Sequence, residues 1–246
     1  MILDLDEVVR GQLSPVLAEK ANAVREQVPG ARNALEEAIV LIGEAHDSVT
    51  DDEQESSQLL AAAASARLKM LRPADAILTA NAKAGRALEP AKQGWALVLA
   101  AEKVADEAVQ EYNRLTKEGV TKSSQLSGQA EDTLRNGRAY FSEAATAFPE
   151  ADFKRYLAFV DGKIGLLQIS KQSNAAWLAG KLPEANAIIA RYNTEEQTVI
   201  AIATTLPSTP GKAVADAYDR LVAGDTKEYF DAREEATKAD AALDRF

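Results

Sequence analysis

The chain contains no cysteine. That excludes disulfides, thiolate metal sites and cysteine nucleophiles. It has a single histidine, His46, two residues after Glu44. A di-iron bundle needs a Glu-x-x-His pair on each of two helices, and neither the spacing nor a second histidine is present. His46 therefore reads as an exposed helix-end residue. Aromatic residues make up only 6% of the chain, which leaves little material for an aromatic-lined pocket. The glycines are scattered singly, so no phosphate-cradling loop appears. No glycine-flanked serine elbow accompanies the histidine. The sequence thus assigns no catalytic residue, no cofactor and no metal ligand, and an enzyme is not expected.

Basic residues are also scarce. Lysine and arginine number 28 against 38 acidic residues, a formal charge of −10. Nucleic acid is then a poor partner, because affinity there comes from cations neutralising phosphates. Anionic membrane surfaces are disfavoured for the same reason. No uncharged apolar run reaches the ~18 residues that span a bilayer, so no membrane insertion is expected. The first residues, Met1 to Glu7, are acidic and lack a signal-peptide core. Such a start predicts a cytoplasmic protein if the chain is complete, and an extracytoplasmic one if a signal or anchor has been removed.

What is abundant is alanine, as in Leu59-Leu60-Ala61-Ala62-Ala63-Ala64. Alanine is the best helix former and lets helix axes approach closely. Seven of the eight prolines, at 15, 29, 73, 90, 149, 183 and 210, stand where a helix is expected to begin. At the first turn the missing N–H loses no hydrogen bond, whereas an interior proline costs roughly 3 kcal/mol. Read this way, the prolines cut the chain into nine or ten helices. The first starts at Ser14. The second covers residues 31–48, with Leu35, Ala38, Ile39, Ile42 and Ala45 at three/four spacing. Thr50-Asp51-Asp52-Glu53 reads as a capping box opening the third. A short helix after Pro73 fades at Gly85, and a long one runs from Pro90 to Leu115. Glu118-Gly119 ends it, and residues 121–127 form a polar loop or helix start. A helix over 130–148 follows, then one carrying Gly162 and Gly165, whose spacing marks close packing or a kink. Thr194-Glu195-Glu196-Gln197 predicts a break near Asn193. Leu206 to Gly211 is a loop, and Gly224-Asp225 separates two final helices. No alternating run reads as a strand. Trp95, Trp177 and the tyrosines fall mainly on apolar stripes and are expected in the core.

Residues 175–192, Ala-Ala-Trp-Leu-Ala-Gly-Lys-Leu-Pro-Glu-Ala-Asn-Ala-Ile-Ile-Ala-Arg-Tyr, resemble the centre of a tetratricopeptide repeat. In that family one helix ends in a glycine turn and the next opens with acidic residues and a packing alanine. Similar turns recur around Gly137 and at Leu221–Lys227, at intervals longer than the roughly 34 residues usual for the family. The resemblance covers the C-terminal half. It implies a scaffold with a groove for a partner segment. The expected fold is all-α: antiparallel helical hairpins forming a helical bundle or a tetratricopeptide-like right-handed array. A helical-hairpin region over 1–120 would join a repeat-like region over 121–246, with any boundary near Gly119–Ser127.

From Asn33 to Ala66 there is no lysine or arginine. This stretch holds Glu44, Asp47, Asp51, Asp52, Glu53 and Glu55, the candidate partner-binding acidic region. Acids at a helix start also favour the macrodipole by about 0.3–1 kcal/mol each, which is reason enough for Asp51, Asp52 and Glu53. The expected function is a non-catalytic scaffold or adaptor that binds another, basic protein. Two alternatives are a structural or envelope-associated helical protein and a small-ligand sensor with a cavity among its helices.

Overall fold

The computed structural model describes residues 2–46, 48 and 50–245, with the side chains of residues 2, 3, 51 and 52 outside the description. Among these residues there are eight helices and no strand: α1 (Ile2–Arg10), α2 (Pro15–Arg25), α3 (Val28–His46), α4 (Asp51–Tyr112), α5 (Lys117–Ala147), α6 (Lys154–Leu178), α7 (Leu182–Ala203) and α8 (Pro210–Leu243). The all-α fold expected from the sequence is present. The chain divides into two compact units, Met1–Gly85 with Tyr218–Phe246, and Arg86–Ala217. The divisions fall inside α4 and α8, while Gly119–Ser127 lies within α5.

Several boundaries differ from the sequence reading. Pro15, Pro29, Pro183 and Pro210 do sit in first turns, but Pro73 and Pro90 are interior to α4 and Pro149 lies between α5 and α6. An interior proline removes the amide that the carbonyl four residues earlier would accept. Here those carbonyls belong to Lys69 and Arg86. The buried stripe Met70, Leu71, Ala74, Ile77 and Leu78 runs straight through Pro73. Its burial offsets the roughly 3 kcal/mol local cost. Gly85 continues α4 rather than ending it. Gly119 belongs to the first turn of α5, where its amide donates to Thr116 Oγ1 at 3.0 Å. The Thr194 hydroxyl donates back to the Ala190 carbonyl at 3.2 Å inside α7, so it caps nothing. Gly224 and Gly137 lie inside α8 and α5, and of the three repeat-like turns expected around Gly137, Gly180 and Gly224 only that at Gly180, φ +74°, is a turn. Finally, α1 precedes the helix expected at Ser14.

In the first unit, Ser14 caps α2 by accepting from the Leu17 amide at 3.1 Å. Leu17, Ala18, Ala21 and Val24 form its buried stripe. Gly85 meets α2 where a Cβ would lie 2.1 Å from Ala18 Cβ. Residues 67–81 of α4 run antiparallel to residues 218–240 of α8. Arg67 pairs with Asp240, Lys69 with Glu235 and Arg72 with Glu228, at 2.6–2.8 Å. Below them Asn81 donates to the Tyr218 hydroxyl at 3.3 Å. Asp6 of α1 accepts from the Tyr229 hydroxyl and from Arg233 Nε, both at 2.8 Å. Arg10 stands 5.2 Å over the Phe230 ring.

The second unit is an up-down-up-down bundle of four helices. Its α4 segment and α5 run antiparallel, crossing at Gly94 and Gly137, where an added Cβ on either would lie 3.0–3.1 Å from the other's carbonyl oxygen. Successive pairs then join α5 to α6 and α6 to α7. Arg138 binds Asp161 at 2.6 Å, and Asn174 donates to Ser123 at 3.1 Å. Arg191 donates to Gln172 at 2.8 Å. Gly162 does mark close packing, because its Cβ would fall 2.7 Å from Val199 Cγ2; Gly165 has nothing within 4 Å. The core is aromatic. Phe141, Phe153 and Tyr156 gather with ring centroids 5.4–6.2 Å apart, and Trp95 meets Tyr156 edge-on at 5.9 Å.

Glu131 of α5 is buried, yet it is charged. It accepts from Gln168 at 2.9 Å, Arg135 at 2.6 Å and Lys171 at 3.0 Å. The Gln168 hydrogen bond first, then Arg135 and Lys171, hold its carboxyl at about 2 rather than 4.5, against burial, which pushes upward. A carboxyl with a lowered folded-state pKa stabilises the fold above its unfolded pKa, and that contribution fades as pH falls through the folded value. Between pH 7 and pH 3 the loss should be about 2 kcal/mol from this residue alone. Urea midpoints followed by tryptophan fluorescence at the two pH values check this: Glu131→Gln should shrink the pH-dependent difference by that amount.

Candidate functional site

Two places in the molecule have the chemistry of a binding surface. The first is α3 and the start of α4. In α3 only Val28 is buried. Ala31, Leu35, Ala38, Ile39, Ile42 and His46 form a half-buried stripe along one side. On the exposed side, Glu37, Val40, Leu41 and Glu44 follow i, i+3, i+4, i+7 spacing and so share a face. Val40 and Leu41 are 58% and 57% exposed. They make an apolar pair with a carboxylate one turn before and one turn after.

The candidate acidic residues separate into different roles here. Glu44 and Glu55 are exposed. Asp47 lies outside the described residues; Asp51 and Asp52 open α4, but their side chains are not described. Glu53 caps its own helix, with Oε2 accepting from the Thr50 amide at 2.9 Å and the Thr50 hydroxyl at 2.7 Å. The hydroxyl and amide of Thr50 together hold its carboxyl below the usual range. The glutamate's reach back, one half of the capping box expected at Thr50, is thus present, and it occupies one of the six acids. His46 is half-buried rather than exposed. Its Nδ1 lies 2.6 Å from Ser57 Oγ, while that hydroxyl donates to the Gln54 carbonyl at 2.8 Å. With its one proton used, Ser57 can only accept from the ring, so Nδ1 carries the hydrogen. The histidine joins the end of α3 to the first turns of α4.

The second place is a hollow in the four-helix unit, lined by α4, α5, α6 and α7. It consists of two adjoining cavities of about 420 and 380 Å³. They share Ala105, Val109, Leu167, Tyr192 and Glu196. Phe159, Leu166, Val199 and Ile200 give the larger part apolar walls. Charge enters through Glu102, Asp106, Lys163 and Glu196. Lys163 pairs with Glu102 at 3.0 Å. The smaller part is floored by side chains of α5 and α6, among them Ser123, Ser127, Ser173 and Asn174, all buried. The Ser127 hydroxyl has no hydrogen-bond partner. Burial raises the Tyr192 phenol, and the nearby Glu196 and Asp106 carboxylates add to the shift.

A cavity among the helices is one of the sequence's alternatives, but the residues that line this hollow are not singled out there. Its one legible trace is the serine pair at positions 123 and 127, four apart in the segment expected to be a polar loop or a helix start. Once that segment is helical, the spacing puts both hydroxyls on one face. Among the described residues no group of three or more histidine or acidic side chains is placed to hold a metal ion. No helix among them is long and apolar enough to cross a membrane. Comparison with protein-family models, with curated proteins and with solved structures finds no match to this chain.

Proposed function

We propose that this protein is a non-catalytic helical adaptor that binds a basic, amphipathic helix of another protein along the exposed face of α3. The observation that carries this reading is the Glu37-Val40-Leu41-Glu44 face. It lies on a helix with one buried residue, in a stretch without lysine or arginine. An apolar pair bounded by carboxylates suits a partner helix that offers an apolar stripe flanked by lysine or arginine, as helix-to-helix docking requires. The apolar anchors supply affinity, and the carboxylates supply selectivity and a faster encounter. Of the candidate acids, Glu44 stands on this face and Glu55 is exposed on α4, with Glu37 joining them.

A synthetic amphipathic peptide with leucines on one face and lysines on the other tests this by fluorescence anisotropy against the full chain. A peptide with glutamates in place of the lysines serves as control. The lysine peptide should bind at least tenfold more tightly than the control. Its affinity should weaken as ionic strength rises from about 0.05 to about 0.5 M. Val40→Ala with Leu41→Ala should cost at least about 1.4 kcal/mol, a tenfold loss, since each truncation removes apolar contact area. Both positions are exposed, so helical content by circular dichroism should not change. Equal binding of the two peptides, or full affinity in the double variant, would overturn the reading.

A further inference from the structure

The hollow of the four-helix unit carries an inference independent of the adaptor reading. We propose that it is a binding site for a small organic cation with an apolar body. Three observations converge. The two cavities, about 420 and 380 Å³ with five lining residues in common, have the size of small-molecule sites. Their charges do not cancel. Glu102 is held by Lys163, but among the described residues neither Asp106 nor Glu196 pairs with a lysine or arginine. Asp106 of α4 and Glu196 of α7 come from helices far apart in sequence and line the same cavity, together with Tyr192. Third, the wholly buried Ser127 lines the polar part with an unpartnered hydroxyl. Buried hydroxyls ordinarily find a partner, so an orphan at the edge of a cavity points to a ligand atom that completes it.

These features select among ligand classes. An anion would meet two carboxylates that no lysine or arginine among the described residues neutralises, and is repelled. A purely apolar molecule fits the Phe159, Leu166 and Val199 walls but leaves the carboxylates and Ser127 unanswered. An ammonium group on an apolar body satisfies both: its N–H groups donate to Asp106 and Glu196, and the Tyr192 ring adds a cation–π face. The apolar body lies against the aliphatic walls. The Ser127 hydroxyl then has a polar atom within the hollow to pair with.

Three isosteric probes decide the matter on the full chain: phenethylammonium, 2-phenylethanol and phenylacetate. Each is titrated by ligand-observed NMR and by thermal shift. Phenethylammonium should bind saturably, at least tenfold more tightly than 2-phenylethanol, and raise the melting temperature by about 3 °C at saturation. Phenylacetate should not bind. Asp106→Asn with Glu196→Gln keeps shape and removes charge. It should weaken phenethylammonium at least tenfold while leaving 2-phenylethanol unchanged. Ser127→Ala should raise the melting temperature of the unliganded chain and weaken the cation several-fold. Val40→Ala with Leu41→Ala should leave every titration as in the native chain, which separates this site from the α3 face. Equal binding of all three probes, no binding of phenethylammonium, or undiminished cation affinity in the charge-removed variant would overturn the proposal.

Discussion

Tyr156→Ala should lower the unfolding free energy by about 4 kcal/mol, the range found when a large aromatic is cut out of a close-packed core. Tyr156 is fully buried and lies within 6.0 Å, centroid to centroid, of Trp95, Phe141 and Phe153. Its loss removes the ring that joins α6 to α4 and α5. Its hydroxyl does separate work, donating to the Pro207 carbonyl at 3.1 Å and tying down the connection before α8. Burial pushes that phenol up to about 12, so it remains a donor across the physiological range. Tyr156→Phe keeps the ring and should cost only about 1 kcal/mol, the usual net value of one hydrogen bond. Both tryptophans, Trp95 and Trp177, belong to this unit. Urea unfolding followed by tryptophan fluorescence therefore reads it selectively. A loss in Tyr156→Ala no larger than in Tyr156→Phe would mean that the aromatic cluster is not the centre of the unit's stability.

Gly85→Ala should destabilise the first unit by about 3 kcal/mol, although alanine is the better helix former by roughly 1 kcal/mol. The reason is distance. The new methyl would sit 2.1 Å from Ala18 Cβ and 3.5 Å from Ala18 Cα, so α2 must be pushed off α4. The double variant Ala18→Gly with Gly85→Ala returns the space and should recover most of the loss. Gly224→Ala is the internal comparison. It lies mid-helix in the same unit, nothing stands within 4 Å of its added Cβ, and it should stabilise by up to about 1 kcal/mol. Thermal unfolding by circular dichroism separates the two. If Gly85→Ala were neutral, the contact between α2 and α4 would have to be looser than described.

These two glycines also illustrate which parts of the fold were legible in the sequence. A glycine or proline states what the backbone is free to do, not what a neighbour requires of it. Where a local device decides the matter, the reading held. Ser14 with Pro15, the reach of Glu53 back to Thr50, Pro183 after Gly180, and Thr209 before Pro210 all mark helix starts in the structure. Where packing decides, local cost misleads: it marks Pro73, Pro90, Gly85 and Gly224 as breaks, and the structure carries helix through all four. The stripe through Met70 and Ile77 is buried, and the ion pairs from Arg67 to Asp240 and Arg72 to Glu228 bind positions more than a hundred and fifty residues apart in number. Single-sequence propensity carries no such term. The same holds for function. The acidic stretch on α3 was visible as a run of composition. The lining of the hollow was not, because Asp106, Ser127 and Glu196 belong to three different helices, α4, α5 and α7.

The absence of lysine and arginine between Arg32 and Arg67 has a practical sequel. Trypsin releases residues 33–67 as one long fragment, spanning α3 from its second turn and the opening of α4. Reagents that seek primary amines find none there, so a lysine-directed cross-linker cannot report what rests on Val40 and Leu41. Coupling through carboxylates, at Glu37 and Glu44, is the route by which a bound partner would leave its mark.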